Sequence, residues 1–475
     1  MSTTQESAPA ATPSAQPTAT QDIPGIVQRA RERFNEDVTR PLAWRDAQLA
    51  GLAEFVTKEA DAIQEALRDD LRKADFESYM AEIWPLTIEV ADARKNLKRW
   101  TSPRKVKTPS VLKPASGVLR PDPLGVVLIV SPWNYPMNLV LAPLVGAIAA
   151  GNCAVLKPSE LAPATSRLLA ERLSNYVDGE CFPVVEGAVP ETTALLDQRF
   201  DHICYTGGAR VARIVMAAAA KHLTPTTLEL GGKSPCIVHD SAKLGVTAKR
   251  IAWGKFMNCG QTCVAPDYIL VSESCHDALV KELKSTIDEF YGSDVQQSPD
   301  YPRIVNEAHF DRVAALIDPD KVAHGGQTDR SDRFIAPTLM TDVTADDAVM
   351  QDEIFGPVLP IIKIRDVDEA IRMVNSREKP LALYLFAEDK GVEEQVLSRT
   401  TAGGVTVNHT ILHLSNGNMP FGGVGESGMG AYHGKWGFDT FSHLKPVLKK
   451  ATWIDPPITY PPYTSWKSKL LSLFG

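Results

Sequence analysis

Very little in this chain points outward. Its seven cysteines are an odd number at irregular spacing, which gives no disulfide framework and fits a reducing, cytoplasmic setting. No second Cys or His pair completes a zinc-ligand set, so no metal is expected. Lysine and arginine are scattered and the formal net charge is −8, which argues against a nucleic-acid partner. No internal repeat is evident. The one uncharged run that approaches bilayer length, 137–156, is broken by Pro143, Gly146, Gly151 and Asn152. It reads as a buried helix followed by a buried strand, not as a transmembrane segment. The first twenty residues have neither a basic start nor an apolar centre and are rich in Ser, Thr, Ala, Pro and Gln. They are expected to form a disordered tail, not a signal peptide.

What is present is the composition of an ordinary globular protein, 44% hydrophobic and 23% charged, in a length that suggests two or three lobes. Residues 23–100 carry helical periodicity with Pro41 and Pro85 as interruptions. Residues 101–123, rich in Pro, Lys and Ser, read as a loop or an excursion. From Leu124 short apolar runs alternate with helical patterns: strands over 125–130, 153–156, 182–185 and 202–205, helices over 137–150 and 161–176. Such alternation means βαβ units and an α/β fold with a parallel sheet covered on both faces. A second α/β lobe begins after Pro235, with strands over 236–238 and 268–271 and helices over 242–255 and 276–290. The Gly-rich stretch 422–430 is too irregular for a phosphate motif and reads as a loop that returns Phe421 and Tyr432 to the core.

Ligands of parallel sheets lie beyond the carboxyl ends of the strands, and three motifs fall there. Ser131-Pro132-Trp133-Asn134-Tyr135-Pro136 follows the first strand. Lys157-Pro158-Ser159-Glu160 follows the second; a carboxylate there can accept hydrogen bonds from ribose hydroxyls and would repel a 2′-phosphate, so Glu160 favours NAD over NADP. Gly207-Gly208 follows the fourth and opens a helix whose N–H groups and dipole suit a pyrophosphate, although a plain tight turn is the commoner meaning of Gly-Gly. No Gly-x-Gly-x-x-Gly follows the first strand.

Cys263, in Gly260-Gln261-Thr262-Cys263-Val264-Ala265-Pro266-Asp267-Tyr268, has two readings. Alone it is a small buried hydrophobe, the usual fate of a free cysteine. Held after a Gly-Gln-Thr turn, it is a candidate nucleophile. Its company favours the second reading: the Asn134 turn, Glu229-Leu230-Gly231-Gly232-Lys233-Ser234-Pro235, and Glu353-Ile354-Phe355-Gly356-Pro357. Together these motifs resemble the aldehyde dehydrogenase superfamily. The sequence around Cys263, Lys221-His222-Leu223-Thr224-Pro225, and Pro420-Phe421-Gly422-Gly423-Val424-Gly425 leading to Tyr432-His433-Gly434 are similar to its class 3, fatty-aldehyde-type branch. The resemblance runs from about residue 22 to 450. Ala212 stands where the family usually has the last glycine of the Gly207 turn.

The resemblance implies a Rossmann-type NAD-binding domain (21–105 and 124–231), a second α/β catalytic domain (232–439), and a small bridging β element (106–123 and 440–460) flanked by tails at 1–20 and 461–475. It implies a homodimer and an aldehyde substrate, medium to long aliphatic or aromatic. Cys263 would attack the aldehyde, the Asn134 amide and the Cys263 N–H would hold the oxyanion, and Glu229 would activate water against the thioester. Cofactor contacts are expected at Lys157, Ser159, Glu160, Gly207, Gly208, Val211, Leu230, Glu353 and Phe355, with NAD preferred and NADP less favoured. Tyr135 and His413 are candidates for the substrate pocket, and Lys233 is expected to steady its turn. Cys259, four residues before Cys263, is either packing or half of a redox pair. The tail from Trp466 to Phe474 has an amphipathic pattern that favours docking on the protein's own surface, with a gate over the substrate entrance or a weak membrane contact as alternatives. Rival readings keep the scaffold but transfer the acyl group to coenzyme A, hydrolyse esters, or only bind; Glu229 speaks against the first, and the complete residue set against the last.

Overall fold

The buried strands are runs of two to seven residues, and the order in which they pair decides where polar side chains can meet. The computed structural model describes residues 17–472, so most of the expected N-terminal tail, 1–16, lies outside the described residues. Its last residues are placed: Thr18 exchanges backbone and side-chain hydrogen bonds with Glu186, and 20–22 form a 3-10 turn. Ordered chain therefore begins before residue 21.

Five helices open the fold: α1 (Ile23–Asn35), α2 (Leu42–Lys58), α3 (Ala60–Leu71), α4 (Asp75–Ser78) and, after a π turn over Tyr79–Ile83, α5 (Trp84–Thr101). Pro85 directly follows the π turn within a helical run continuous with α4, and the Ala81 carbonyl that its missing N–H would have bonded accepts instead from Asn138 Nδ2 at 3.0 Å. β1 (Arg104–Val106) and β2 (Ala115–Pro123) form a hairpin. Then come β3 (Val126–Val130), α6 (Asn138–Ala150), β4 (Cys153–Lys157), α7 (Pro163–Arg172), α8 (Val189–Leu196), β5 (His202–Thr206), α9 (Ala209–Ala220) and β6 (Thr226–Glu229). The expected strand over 182–185 is only an isolated bridge between Val184 and Leu156, because Pro183 has no N–H to donate to a ladder. Gly207 consequently follows the third strand of this sheet, not the fourth.

The second half contributes β7 (Pro235–Val238), α10 (Leu244–Phe256), β8 (Tyr268–Ser272), α11 (His276–Tyr291), α12 (Glu307–Ala314), β9 (Val322–His324), β10 (Thr328–Asp329), β11 (Phe334–Ile335), β12 (Thr338–Met340), β13 (Val358–Ile364), α13 (Val367–Asn375), β14 (Ala382–Phe386), α14 (Lys390–Arg399) and β15 (Gly404–Val407). β16 (Gly428–Met429), α15 (Gly434–Thr440), β17 (Ser442–Lys450) and α16 (Ser465–Leu471) complete the chain.

Two large sheets result. One runs β16-β6-β5-β3-β4, parallel except for β16; the other runs β15-β14-β7-β8-β13-β12-β9, parallel except for β9. A third sheet, β1-β2-β17, is antiparallel and largely exposed. Residues 230–234 carry the chain from the carboxyl end of β6 to the amino end of β7, so those opposite ends of the two large sheets lie five residues apart. The C-terminal tail is described only to residue 472, so Leu473 and Phe474 of the expected amphipathic pattern lie outside the described residues. Trp466, Leu470 and Leu471 are all exposed, and the buried residue of α16 is Lys467, whose Nζ donates to the Tyr460 carbonyl at 2.5 Å. This two-turn helix packs on its own preceding segment through an amine and leaves its apolar side open.

Candidate active site

Each candidate side chain sits where a strand of one sheet ends or a strand of the other begins. The Asn134 turn follows β3, Lys157 ends β4, Gly207 and Gly208 follow β5, and Glu229 ends β6. From the second sheet, Lys233 precedes β7, Cys263 precedes β8 and Glu353 precedes β13. The structure thus brings Asn134, Glu229, Cys263 and Glu353 to one junction: Glu353 and Glu229 both act electrostatically on Cys263, and the Asn134 amide bonds the Gln261 carbonyl two residues before it.

The Cys263 turn is built from strained backbone. α10 ends at Phe256, and Asn258 and Cys259 then adopt left-handed φ values of 52° and 54°, followed by Gly260 at 72°. Such conformations cost about 1–3 kcal/mol each for residues other than glycine. Gly260 cannot be anything larger, since a Cβ there would lie 2.3 Å from the Gly356 carbonyl oxygen. This close approach sets the Cys263 turn against the Glu353–Pro357 loop. Side chains hold the turn from both sides. Gln261 donates to the Asn258 and Arg303 carbonyls, each at 3.0 Å, and accepts from the Val305 N–H at 2.9 Å. Asn258 Nδ2 donates to the carbonyls of Asn134 at 2.8 Å and Gln261 at 3.1 Å. Tyr135, expected in the substrate pocket, exchanges a 2.6 Å hydrogen bond with Thr262, the residue before the thiol.

Asn134 is buried, and its Nδ2 donates to the Gln261 carbonyl at 3.0 Å. That bond fixes the amide plane while leaving the second N–H unused. Lys73 Nζ donates to the Asn134 carbonyl at 2.8 Å and to Glu82 at 2.6 Å, and Glu82 accepts from the N–H groups of Met137 and Asn138. Lys73 and Glu82 are a fully buried ion pair, so removing one partner would leave the other charge uncompensated, at about 3–5 kcal/mol.

The electrostatics are those of a dry cleft. Burial pushes the Cys263 thiol up to about 12, with Glu353 and then Glu229 adding like-charge repulsion, while the N–H groups of Cys263 and Val264 oppose the rise. Glu229 is buried, neither oxygen has a hydrogen-bond partner in the protein, and desolvation holds its carboxyl well above the ordinary value. Burial, then Asp267, raise Glu353 to about 8; Gly232 N–H, Lys233 and Arg312 pull the other way. The Glu353 carboxylate crosses Gly231 so closely that a Cβ there would lie 2.0 Å from Oε2.

Lys233 donates to Asp267 at 2.7 Å and to the carbonyls of Val349 at 2.7 Å and Asp352 at 3.0 Å, so it steadies the Glu353 loop as well as its own turn. Phe355, with φ 47°, packs edge-on against Trp133 at 5.4 Å. Lys157 is buried, and desolvation lowers its ammonium; it donates to the Pro158 carbonyl at 2.6 Å and lies 3.7 Å from Glu160. The Ser159 hydroxyl accepts from the Leu161 N–H, Leu230 donates its N–H to the Ser427 carbonyl, and Val211 lies in the first turn of α9. His413 is not part of the charged cluster. It packs beside Tyr384 and Phe421, shares a 2.9 Å bond with Thr406, and burial lowers it to about 4. Cys259 turns its sulfur to the Tyr301 hydroxyl at 3.5 Å, beside the Tyr291–Tyr301 ring pair, and both it and Cys263 are free thiols.

Sequence reasoning missed Lys73, Glu77, Glu82, Asn258, Gln261, Lys255 and Asp267. Lys255, Asn258, Gln261 and Asp267 lie within the stretch around Cys263, so polar residues in an apolar context were the available signal. Lys255 is fully buried, its Nζ has no hydrogen bond, and burial lowers it to about 8 against the opposing pull of Asp267, 3.9 Å away. Lys73, Glu77 and Glu82 gave no signal, reading as helix-surface charges. Away from the chemistry, a cavity of about 630 Å³ lies at the carboxyl ends of β7, β8 and β13, lined by His239, Asp240, Glu273 and Arg365 among others.

Comparison with known proteins bears on this geometry. The model of the aldehyde dehydrogenase family matches residues 6–447. A mouse protein named "Aldehyde dehydrogenase, dimeric NADP-preferring" is 50% identical over 430 residues, 90% of this chain and 95% of its own length. The rat "Aldehyde dehydrogenase family 3 member A2" is 50% identical over 424 residues, covering 89% of this chain and 88% of its own. Among solved structures, a substrate-bound state of AldH from Staphylococcus aureus superposes with a TM-score of 0.93 at 44% identity, covering 95% of this chain and 99% of that one.

Proposed function

The chain belongs to the aldehyde dehydrogenase family and is an NAD(P)-dependent oxidoreductase of aldehydes; from that premise we propose that Cys263 is its nucleophile, Asn134 its oxyanion donor and Glu229 its hydrolytic base, with NAD the preferred cofactor. The observation that carries this reading is the convergence of Asn134, Glu229, Cys263 and Glu353 at the junction of the two sheets.

A dinucleotide fits the residues present. Gly208 caps α9 with nothing within 4 Å of where a Cβ would stand, so the backbone can approach a pyrophosphate at a helix N-terminus. Lys157 and Glu160 at the end of β4 would hold the adenosine ribose, Val211 and Leu230 would flank the cofactor, and Glu353 with Phe355 would hold the nicotinamide end. When bound, the oxidised nicotinamide supplies the hydride acceptor. Glu160, half exposed, would meet a 2′-phosphate with like charge, which favours NAD; the mouse relative's printed preference for NADP makes that choice a measurable one.

Cys263 Sγ bonds to the aldehyde carbon as its proton passes to solvent, and the carbonyl oxygen becomes an oxyanion facing the free N–H of Asn134 and the N–H of Cys263. Once the carbon is oxidised, a thioester remains on Sγ. Glu229 then takes a proton from water, the water oxygen bonds to the acyl carbon, the C–S bond breaks, and the acid leaves as the thiol is restored. A carboxyl held above its ordinary pKa by a dry pocket suits a group that must both take and return a proton near neutral pH.

The substrates are medium to long aliphatic or aromatic aldehydes, with Tyr135 beside the thiol as part of the pocket. The chain is a cytoplasmic homodimer. Open strand edges support the dimer: β17 and β1 flank the small sheet, β15 flanks the seven-stranded one, and Leu444 and Leu448 are exposed on β17. Such edges ordinarily need a partner. Among the described residues no helix is long and apolar enough to cross a membrane; the exposed apolar side of α16 suits at most a shallow contact with a bilayer.

The direct test follows reduced-nicotinamide absorbance with NAD or NADP over a series of aldehydes of graded length, with and without coenzyme A. Turnover with NAD alone is expected. Dependence on coenzyme A would replace the hydrolytic reading with acyl transfer.

A further inference from the structure

One short stretch, residues 73–82, running from the break before α4 into the π turn, reaches both turns of the candidate site with charged side chains. Lys73 and Glu82 hold the Asn134 turn. Between them, on α4, Glu77 turns to the other one: its Oε1 accepts from the Asn258 backbone N–H at 2.8 Å. That N–H stands at the point where α10 has ended and the chain enters its left-handed run. With ψ at 138° Met257 turns the next peptide out of the helix, so the Asn258 N–H no longer points back along α10, and left unpaired it would destabilise the turn.

We propose that Glu77 is a positioning residue for the nucleophile, fixing the left-handed Asn258–Gly260 turn through the Asn258 N–H and, through the Asn258 side chain, the relative placement of Cys263 and Asn134. Asn258 is the node of this coupling, because its Nδ2 bonds the Asn134 carbonyl and the Gln261 carbonyl, and the latter also receives the Asn134 amide. Tilting Asn258 therefore moves the oxyanion donor and the thiol against each other, and sub-ångström errors in that relation are costly in rate. The π turn that begins at Tyr79 directly after α4 changes the phase of the helix between Glu77 and Glu82, consistent with one stretch serving two turns. Glu77 touches neither thiol nor cofactor residue in the structure, so its effect is indirect.

The inference rests on Cys263 as nucleophile, and the experiment separates the two. Glu77→Ala, Glu77→Gln and Cys263→Ala are compared with the unaltered full-length protein in kcat and KM with NAD and hexanal, in the rate of iodoacetamide alkylation at Cys263, and in NAD affinity by fluorescence. Glu77→Ala is expected to lower kcat and the alkylation rate together by about 10-fold, with NAD affinity changed less than twofold. Glu77→Gln, which keeps an acceptor oxygen for the Asn258 N–H, is expected to recover most of both rates. Equal rates in Glu77→Ala and the unaltered protein would overturn the proposal, as would a Glu77→Gln variant no better than Ala, or a kcat loss that merely follows the folded fraction measured by thermal unfolding. Activity retained in Cys263→Ala would instead remove the nucleophile itself.

Discussion

The two large sheets serve the site from opposite ends. The five-stranded sheet presents the carboxyl ends of β3, β4, β5 and β6, as a parallel sheet ordinarily does toward a ligand. The seven-stranded sheet presents the amino ends of β7, β8 and β13, and its own carboxyl ends open onto the distant cavity beside Asp240 and Glu273. The linker 230–234 runs from the carboxyl end of β6 to the amino end of β7, bringing those opposite ends together. One consequence is chemical. On the proposed function, the carboxyl-end contributions are an amide, a general base and cofactor ligands, whereas the amino-end contributions are the nucleophile and the buried Lys233–Asp267 support of the Glu353 loop.

Removing the central group from the amino-end side should have the largest effect. Cys263→Ala is expected to abolish both aldehyde oxidation and ester hydrolysis, by at least about 10³-fold, in steady-state assays of each. Asn134→Ala, on the carboxyl-end side, is expected to lower kcat by about 10²–10³ with little change in KM. Glu229→Gln should release one equivalent of reduced nicotinamide in a rapid-mix experiment and then stall as the acyl-enzyme; unimpaired steady turnover would remove Glu229 from the base role and leave Glu353 as the candidate.

Ionisation offers a smaller and different probe. Glu353 titrates at about 8 when folded against an ordinary 4.5. The folded protein therefore keeps a proton that the unfolded chain releases, and the stability this gives is full below pH 4.5 and lost as pH rises through 8. Glu353→Gln cannot lose it. The melting temperature of the cofactor-free variant should therefore rise relative to the unaltered protein between pH 5 and 8, by differential scanning fluorimetry. A constant difference across that range would mean that Glu353 is not buried against Gly231 as described.

The sequence revealed the first sheet better than the second for the same reason that separates their chemistry. Strands 126–130, 153–157 and 202–206 are apolar runs ending in motif residues, and the carboxyl-end rule leads from each run to its site residue. Cys263 and Glu353 precede their strands, so that rule alone would pass over them; it was the resemblance carried by their neighbours that selected them. The supports were hidden more deeply. Lys73 lies in the break between α3 and α4 and Glu82 nine residues on in the π turn, outside any i,i+4 pairing rule, and only the folded path of residues 71–84 shows that both hold the Asn134 turn, Lys73 at the Asn134 carbonyl and Glu82 at the Met137 and Asn138 N–H groups. The apolar pattern of the C-terminal tail names no partner; among its described residues only Lys467 is buried, against Tyr460 of the same tail.

The smallest expected effect is also the sharpest test of the contrast between the sheets. If the carboxyl-end rule governed the seven-stranded sheet, the cavity lined by Asp240, Glu273 and Arg365 would be its ligand site. Asp240→Ala and Glu273→Ala should then impair turnover. The structure predicts the opposite, because neither residue enters the hydrogen-bond chain that joins Asn134, Gln261 and Asn258. Their expected cost is the usual surface value, within about 0.5 kcal/mol of stability. Values of kcat and KM within twofold of the unaltered protein for NAD and hexanal would locate all the chemistry of this sheet at its amino ends. A selective rise in KM for either substrate would show that the far cavity communicates with the site after all.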